Sequence, residues 1–498
     1  MTRRPNLLFI MSDQHAQRIA GCYGDSVVET PNIDRLAKSG VVFDNAYCPS
    51  PICLPARMSA LSARYPVRQN CWTNTDYLAS DIPTMAHALG AGGYRPVLVG
   101  RMHALGPDQL HGYVRREVGD HSPNWAGIPR HDMGPLANTN DPYRVSLERS
   151  GEGQSAYERK DVDVTAAAIA ALEEVAARRA KGDAEPFALT VGYMLPHPPY
   201  VARAQDYRRY EGRVPLPAIP APSPEVEHPW IAWWRDNRDI REVSPEDALR
   251  ARTAYYALTS RLDGMVGEIL ARLDELGLRD DTLIVYTSDH GDHVGDRGLW
   301  WKHTLYDESV KVPLVLSWPG RLPQNERRSA VVNLIDLAPT VLEALGAPAL
   351  PNADGRSFLA VARDAGAPWI DETFAEYCTD AAPAWTGGQA TRHRMIRSGH
   401  YKLNYYDGMA PQLFDLDEDP LEQNDLAASP AHTSVRHALL GRLLADWDPV
   451  EIDRIMTRRV QDKELLAGWA RSVGPRSEHL WEMRPEDNYL GLAGDEEE

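Results

Sequence analysis

Residues 53 to 57 read Cys-Leu-Pro-Ala-Arg and form a Cys-x-Pro-x-Arg string. The string follows a proline-rich loop and opens a stretch, residues 54–62, whose composition predicts a helix. A side chain at a helix N-terminus lies where backbone N–H groups and the helix dipole favour an anion. Arg57, one turn further on, is expected on the same face of the helix. Two interpretations stay open here: a reactive group at Cys53, or an inert core thiol in a pattern that arises by chance.

Polar residues also follow two apolar runs, residues 7–11 and 282–287, that have the composition of buried strands. Asp13-Gln14 follows the first run and Asp289-His290 follows the second. Functional groups in α/β sheets collect at the carboxyl ends of strands. Two carboxylates, an amide oxygen and an imidazole suit a divalent cation, either Ca²⁺ or Mn²⁺, with Mg²⁺ as a further candidate. The alternative is that both aspartates only cap the turns after their strands.

Basic residues stand near further strand ends. They are Arg101 and His103 after the run 96–99, His197 after the run 187–194, and Lys302 in Leu-Trp-Trp-Lys-His. Single lysine and arginine residues are ordinarily surface charges. If these residues converge on a metal site, they would instead bind a tetrahedral oxyanion.

Apolar runs that predict strands alternate with helical segments over most of the chain. The clearest helix spans residues 245–276, with Ser244 and Asp247 at its start and Gly277 at its end. Strands that alternate with helices predict an α/β fold with a large central mixed, mostly parallel sheet flanked by helices.

The pattern divides the chain into two parts. Residues 1–370 are predicted to form the catalytic α/β domain, interrupted by irregular insertions at about 104–160 and 199–243. Insertions of this kind commonly shape a binding cleft. Residues 371–498 are predicted to form a smaller C-terminal α+β subdomain with a small antiparallel sheet, a helix and a tail.

Composition excludes several classes of partner. The formal net charge of −18 argues against nucleic acid and against an anionic membrane as partners. The five cysteines, at positions 22, 48, 53, 71 and 378, do not have the spacing of a disulfide framework. The first residues contain neither a signal peptide nor a membrane span, so the expected location is the cytoplasm.

Taken together, the motifs resemble those of the type I sulfatases, the formylglycine-dependent branch of the alkaline-phosphatase-like superfamily. The resemblance covers nearly the whole chain and implies the α/β sandwich of that superfamily. The matching segments, in family order, are Asn6–Gln14, Thr30–Leu36, Cys53–Arg57, Gly100–His103, His197–Tyr200, Ser288–Asp292, Gly298–Lys302, Val312–Leu314 and Gln412–Pro420.

The resemblance implies that a formylglycine-generating maturation enzyme converts Cys53 to formylglycine. The hydrated aldehyde then attacks the sulfur of a sulfate monoester and expels the alcohol. The implied metal ligands are Asp13, Gln14, residue 53, Asp289 and His290. The implied catalytic residues are Arg57, which stabilises the diol; Arg101; His103, the base that releases sulfate; and His197 and Lys302, which bind sulfate and assist the leaving group.

Two positions depart from the common family pattern. Arg101 stands where many members have lysine, and a planar guanidinium cannot act as an acid. Gln14 stands where many members have aspartate, which removes one negative charge from the metal site. The combination of Asp-Gln with Asp-His is similar to that of choline sulfatases and phosphonate monoester hydrolases.

Residues 100–112 look most like the choline sulfatase branch, which binds a quaternary ammonium with a carboxylate and aromatic faces. By this resemblance, the substrate-binding residues are Asn74, Trp125 and Glu376. Each also has a structural interpretation: Asn74 satisfies a loop, Trp125 packs an insertion, and Glu376 pairs with an arginine.

The predicted function is hydrolysis of a small-molecule sulfate monoester, with choline sulfate as one candidate. The alternatives are a phosphonate or phosphate ester hydrolase on the same scaffold, and an aryl or carbohydrate sulfatase. A binding protein with unmodified Cys53 is a third interpretation, and the complete set of catalytic residues argues against it. The resemblance also implies a homo-oligomer, either a dimer or a tetramer.

Overall fold

The computed structural model describes residues 4–129, 132–183, 185–380 and 390–491. In these residues the strands are β1 (Asn6–Asp13), β2 (Val41–Tyr47), β3 (Arg95–Gly100), β4 (Arg115–Glu117), β5 (Gly151–Gln154), β6 (Phe187–Pro196), β7 (Val201–Ala202), β8 (Thr282–Ser288), β9 (Leu314–Ser317), β10 (Glu326–Asn333), β11 (Glu372–Thr379), β12 (Thr391–Ser398), β13 (Tyr401–Tyr406), β14 (Gln412–Asp415) and β15 (Tyr489–Leu490).

The α-helices surround and connect these strands. They are α1 (Pro31–Lys38), α2 (Cys53–Ser62), α3 (Pro66–Gln69), α4 (Met85–Ala91), α5 (Val145–Glu148), α6 (Ala156–Ala180), α7 (Ala204–Arg208), α8 (Pro229–Asn237), α9 (Pro245–Glu275), α10 (Asp307–Val310), α11 (Leu337–Leu345), α12 (Leu359–Arg363), α13 (Thr433–Leu443) and α14 (Pro449–Val473). Within the described residues, no helix combines the length and the apolar character that a membrane span requires.

The largest sheet contains eight strands in the order β10-β2-β9-β8-β1-β6-β3-β4. Only β9 runs antiparallel to its neighbours, β2 and β8, within this described sheet. The other pairs are parallel, from β10 with β2 to β3 with β4. The predicted α/β fold with a mixed, mostly parallel central sheet is confirmed. Because β1, β3, β6 and β8 are parallel, their carboxyl ends lie at one edge of the sheet.

The long helix α9 shows how local sequence sets the boundaries of an element. Ser244 accepts a hydrogen bond from the backbone N–H of Asp247 at 3.0 Å, and Pro245 occupies the first helical turn. Gly277, with φ of +63°, follows the helix end and adopts a conformation that other residues rarely take. The helix buries a continuous apolar face in the main core, as its spacing of leucine, valine and alanine predicts.

The C-terminal part contains a second, antiparallel sheet in the order β11-β12-β13-β14. Its core includes Trp72 from the larger part of the chain, together with Trp447 and side chains from α13 and α14. The predicted small antiparallel sheet is therefore present. The domain boundary at residue 370 stays a prediction.

The two irregular stretches contain short elements. The first includes β4, α5 and β5, and the second includes β7, α7 and α8. Strand β5 forms a separate small sheet between β7 and the C-terminal strand β15. The chain end therefore returns to the first insertion.

Candidate active site

The predicted catalytic and metal-binding residues meet at the carboxyl edge of the central sheet. Ser12 of β1 pairs in register with Ser288 of β8, which brings the residues that follow them, Asp13 and Asp289, side by side. On the other side, β6 leads to His197 and β3 leads to Arg101. The parallel register of β1, β3, β6 and β8 brings these strand ends together at one edge of the sheet.

Close backbone packing brings the Arg101 turn into the site. The backbone N–H of Arg101 donates to the Gly192 carbonyl of β6 at 2.8 Å. A Cβ atom at Gly192 would lie 1.7 Å from the Arg101 carbonyl oxygen, so only glycine permits this approach. Gly100 itself has φ of +83°, which directs the chain out of β3 into the turn.

Four buried residues could together hold a metal ion: Asp13, Cys53, Asp289 and His290. Their potential ligand atoms all lie within 4.8 Å of one another. Gln14 completes the site, because its side-chain N–H donates to Asp292 at 2.7 Å and its Oε1 has no hydrogen-bond partner among the described residues. A buried acceptor without a donor beside two carboxylates is what a divalent cation with oxygen ligands would satisfy. The residues therefore fit the predicted metal.

Two arginines neutralise the carboxylates of this group. Arg57 donates to Asp289 at 2.8 Å and to Asp13 at 3.1 Å, and Arg101 donates to Asp13 at 2.6 Å. Burial alone would raise the pKa of Asp13, but Arg101, His197 and Arg57 outweigh burial and hold this pKa well below its usual value. For Asp289, burial outweighs the effect of Arg57 and raises the pKa. The hydrogen bonds of Arg57 thus go to these carboxylates and to the backbone carbonyls of Ser12 and Arg101, whereas the sequence predicted a role at residue 53.

Cys53 lies at the start of α2 and is 1% exposed. Its Sγ lies 3.0 Å from Nζ of Lys302 and 3.2 Å from Nε2 of His290, and His103 and His197 also hydrogen-bond to it. Burial acts to raise the pKa of this thiol, but Lys302 and His290 lower it well below its usual value. Position 53 is therefore built to carry a negatively charged atom.

The two histidines near Cys53 are held in different tautomers. Nδ1 of His103 lies 2.8 Å from Nη2 of Arg101, and a guanidinium can only donate, so neutral His103 carries its proton on Nε2. Nδ1 of His197 lies 2.6 Å from the Pro198 carbonyl oxygen, which can only accept, so His197 carries a proton on Nδ1. Burial, followed by Arg101, lowers the pKa of His103 to about 4. The base role predicted for His103 therefore requires Arg101 to leave Nδ1.

A cavity of about 110 Å³ adjoins this cluster. Its wall includes the basic residues His197 and Lys302, the amides Asn74 and Asn140, and the carboxylates Asp141 and Asp380. Asn74 also accepts a hydrogen bond from the backbone N–H of Leu54 at 3.0 Å, which satisfies a free donor at the start of α2. The predicted substrate-binding residue Asn74 thus lies at the cavity and also has the structural role considered as its alternative.

Glu376 lies elsewhere, in the core of the C-terminal sheet. It accepts a hydrogen bond from the Trp72 indole at 3.1 Å and pairs across the sheet with Arg394. Burial raises its pKa to about 7, although Arg394 and Trp72 act to lower it. Glu376 is not among the described residues that line the cavity. Glu376 thus lies opposite an arginine in the sheet, but Arg394 forms its ion pair with Asp446, at 2.8 Å.

Trp125 is half-buried in the first insertion. Its ring packs edge-on against Trp469 of α14, with ring centroids 4.9 Å apart, and lies 6.2 Å from the ring of Tyr77. Trp125 is not among the described residues that line the cavity. Of the three predicted substrate-binding residues, the structure brings only Asn74 to this cavity.

Sequence reasoning did not assign several residues that shape the site. Asp292 orients Gln14 and also accepts from the Tyr200 hydroxyl at 2.8 Å, and its position in the Asp289-His-Gly-Asp292 segment was an available signal. Asp141 lines the cavity from a loop that has no regular period, and Asp380 directly follows β11, which lies outside the central parallel sheet, so the strand-end rule gave no signal for either. Asp120, which contacts the Arg101–His103 turn, was likewise not singled out.

Comparisons with known proteins agree with this geometry. A family model described as "Sulfatase" matches residues 5–347, and one described as "N-sulphoglucosamine sulphohydrolase, C-terminal" matches residues 295–447. The chain is 33% identical to the choline-sulfatase of Rhizobium meliloti (strain 1021) over 86% of this chain and 83% of the relative. It is 30% identical to the multifunctional alkaline phosphatase superfamily protein PehA of Trinickia caryophylli, over 92% and 97%.

Among solved structures, the phosphonate monoester hydrolase of Agrobacterium radiobacter has a TM-score of 0.72 and 25% identity. The match covers 89% of this chain and 95% of that protein. The sulfatase model spans more than half of the sequence, and its match includes both strand-end pairs and the Cys53 string. The chain therefore belongs to the sulfatase family and is a sulfuric ester hydrolase.

Proposed function

We propose that the protein is a formylglycine- and metal-dependent sulfatase that hydrolyses a small sulfate monoester. The observation that carries the proposal is the position of residue 53. It lies among the candidate metal ligands Asp13, Asp289 and His290 and contacts the basic residue Lys302 beside a small cavity. The Cys-x-Pro-x-Arg string around it is the segment that a maturation enzyme is expected to modify.

When present, a divalent cation and formylglycine at position 53 supply a Lewis acid and a nucleophilic oxygen. The residues of the chain prepare the site for this chemistry. Arg57 and Arg101 hold the carboxylates of Asp13 and Asp289 in place and balance their charge. A bound sulfate would therefore meet a site whose carboxylates are already neutralised.

Lys302 balances negative charge, and His103 and His197 hold the protons of the site. Lys302, 3.0 Å from the residue 53 side chain, binds sulfate oxygens and balances negative charge on the departing alcohol oxygen. Neutral His103 can donate from Nε2, and His197, whose Nδ1 contacts the Pro198 carbonyl, directs Nε2 toward residue 53. Both histidines thus place Nε2 where a proton can move to or from the side chain at position 53.

The cavity supports a small alcohol that carries polar or cationic groups. Its wall combines the sulfate-binding residues His197 and Lys302 with the carboxylates Asp141 and Asp380. A zwitterionic ester, such as choline sulfate, has charges of both signs that match this wall. The choline-sulfatase relative supports the same substrate class. We propose Asn74, Asp141 and Asp380 for the alcohol side of the site.

The decisive test combines mass spectrometry with paired assays. Peptide mass spectrometry of protein co-expressed with a maturation enzyme should show residue 53 as formylglycine. The matured protein should then cleave a sulfate monoester with a higher kcat/KM than a phosphonate monoester with the same leaving group. A residue 53 that remains wholly a thiol would contradict the proposed chemistry.

A phosphonate or phosphate ester hydrolase is the second candidate. The match to the phosphonate monoester hydrolase, at 25% identity over 89% of the chain, favours it, because the same site can bind tetrahedral phosphorus. The paired assay separates the two candidates. A kcat/KM that strongly favours the phosphonate assigns the chain to this second function.

The metal is tested by removal and replacement. Chelation should abolish turnover, and Ca²⁺, Mn²⁺ and Mg²⁺ added singly should identify the ion that restores it. Full turnover in protein shown by elemental analysis to lack divalent metal would contradict the proposed cofactor.

Assembly as a dimer or tetramer stays a proposal. Exposed apolar side chains along α14, including Leu465 and Val473, support it, because monomers seldom expose such residues together. Light scattering of the purified protein tests it. The cytoplasmic location also stays a prediction.

A further inference from the structure

A buried carboxylate outside the catalytic cluster contacts both functional residues of the Arg101–His103 turn. Asp120, 3% exposed, follows β4 in the first insertion. Its Oδ2 accepts hydrogen bonds from the backbone N–H of His103 at 2.7 Å and from Arg116 at 2.6 Å. Its Oδ1 lies 3.6 Å from Nη1 of Arg101. One side chain therefore contacts the backbone of one functional residue and the guanidinium of the other.

The turn requires such a contact because its backbone is unusual. His103 has φ of +59°, in the left-handed region that non-glycine residues seldom adopt. A conformation of this kind is unfavourable for a residue that has a Cβ atom and persists where surrounding contacts determine it. The hydrogen bond from the His103 N–H to Asp120 is one such contact, because it is made by the backbone of the left-handed residue itself.

The charge of Asp120 strengthens the contact. Burial acts to raise the pKa of Asp120, but Arg116, Arg101 and Lys160 hold this pKa well below its usual value. The carboxylate is thus ionised, and a charged acceptor binds a backbone N–H more strongly than a neutral one.

The C-terminal segment, residues 477–490, packs directly against the Asp120 loop; we call this segment the C-terminal strap. The backbone N–H of Trp481 donates to the Asp120 carbonyl at 2.7 Å. Asn124 donates to the Glu478 carbonyl at 3.2 Å. A Cβ atom at Gly119 would lie 1.3 Å from the His479 carbonyl oxygen, so the strap and the loop approach as closely as glycine allows.

The strap is anchored at its far end. Strand β15 pairs with β5, and Asn488 accepts a hydrogen bond from the backbone N–H of Ala156 at 2.9 Å. Between these contacts, Met483 packs in a small apolar cluster with Tyr157, whose ring lies 5.9 Å from that of His197. The strap therefore contacts the supports of both catalytic histidines.

We propose that Asp120 is a positioning residue that holds the Arg101–His103 turn for sulfate ester hydrolysis, and that the C-terminal strap keeps Asp120 in place. This inference rests on the proposed function, since it concerns the same reaction. It assigns a catalytic contribution to a segment distant in sequence from every catalytic residue.

The first experiment replaces the carboxylate. Asp120→Ala should lower kcat for an aryl sulfate about 10- to 100-fold with KM changed less than about threefold, because His103 is misplaced while the sulfate contacts of Lys302 remain. Asp120→Asn keeps an acceptor for the His103 N–H and should recover part of the loss. Hydrogen exchange of the His103 amide should accelerate in the Ala variant.

Asp263→Ala is the matched control. Asp263 of α9 is also a buried carboxylate that accepts a backbone N–H, from Ile33 at 2.8 Å, but its contact is with the first turn of α1 and not with the Arg101–His103 turn. Its loss should lower the melting temperature without changing kcat per folded molecule or exchange at His103. Equal kcat losses in the Asp120 and Asp263 variants would overturn the inference, since both would then reflect stability alone.

The second experiment leaves Asp120 intact and disturbs the strap. Gly119→Ala should displace residues 477–481, accelerate their hydrogen exchange and lower kcat as Asp120→Ala does. Gly90→Ala, at a helical glycine with no atom within 4 Å of the added Cβ, is the control and should leave kcat unchanged. Faster hydrogen exchange of the C-terminal strap with unchanged kcat would overturn its proposed role in keeping Asp120 in place.

The two proposals fail in different ways. If matured wild-type protein cleaves no sulfate ester, the proposed function fails, while exchange at the His103 amide still tests the contact to Asp120. If wild-type protein is active and Asp120→Ala changes neither kcat nor His103 exchange, only the present inference fails.

Discussion

The catalytic cluster and the wall of the adjoining cavity share two residues, His197 and Lys302, yet differ in how their positions are set. In the cluster, Asp13 and Asp289 follow strands paired in register, so each position is fixed by the sheet. In the wall, Asp141 comes from a loop without a regular period, and Asp380 directly follows β11 of the separate antiparallel sheet. The positions of the cluster residues are therefore set by one parallel sheet, whereas the positions of the wall residues depend on how separate parts of the chain pack together.

Cys53→Ala should have the largest effect on turnover, because it changes the catalytic cluster and leaves the cavity wall intact. We expect turnover to fall at least about 1,000-fold, because residue 53 supplies the nucleophile, while the free energy of unfolding changes by only about 1 kcal/mol. Turnover assays with thermal melts measure both. Retention of more than a few per cent of turnover would show that the nucleophile lies elsewhere and would break the comparison.

Lys302→Ala tests a residue that belongs to both regions. We expect kcat to fall about 100- to 1,000-fold for esters with poor leaving groups and less for activated aryl sulfates, because Lys302 balances charge on the departing oxygen. A leaving-group series measures this difference. Lys311→Ala is the control, because its side chain pairs with Asp307 at 3.6 Å and lies 5.9 Å from the centroid of the Tyr47 ring. Equal losses across the series would contradict a leaving-group role.

Asp141→Asn should affect the wall alone. We expect KM for choline sulfate to rise about tenfold and KM for a neutral aryl sulfate to change little, because only the first substrate has a cation to pair. Asp380→Asn tests the second carboxylate of the wall, whose side chain pairs with Lys463 at 3.0 Å. Steady-state kinetics with both substrates measure the difference. Equal changes for both esters would argue against recognition of a cation.

Glu376→Gln should have the smallest effect on activity. Burial raises the pKa of Glu376 to about 7, from an ordinary value near 4.5. This carboxyl group therefore ionises more readily in the unfolded chain, and the free energy of unfolding falls as the pH rises from 4.5 to 7. The substitution should therefore stabilise the protein by up to about 3 kcal/mol above pH 7 and by little below pH 4.5. Melting curves at several pH values test this expectation. A large rise in KM for choline sulfate would instead place Glu376 in the substrate site.

The sequence by itself determined the fold class and predicted which residues form the catalytic cluster. The apolar runs that end in Asp13-Gln14 and Asp289-His290 predict strands from local composition, and the alternation of strands with helices predicts that these strands pair in parallel. The Cys53 string could be interpreted in the same way, because its loop and helix adjoin in sequence.

Only the tertiary structure decided which side chains line the cavity and which side chains support the catalytic residues. Motif matching alone gave Trp125 and Glu376 a substrate role, but packing places the first against Trp469 and the second beside Trp72 and Arg394. The contact of Asp120 with His103, and of Asp120 with Trp481, joins segments that are distant along the chain. No periodicity records such contacts, because they depend on how loops fold onto the completed sheet.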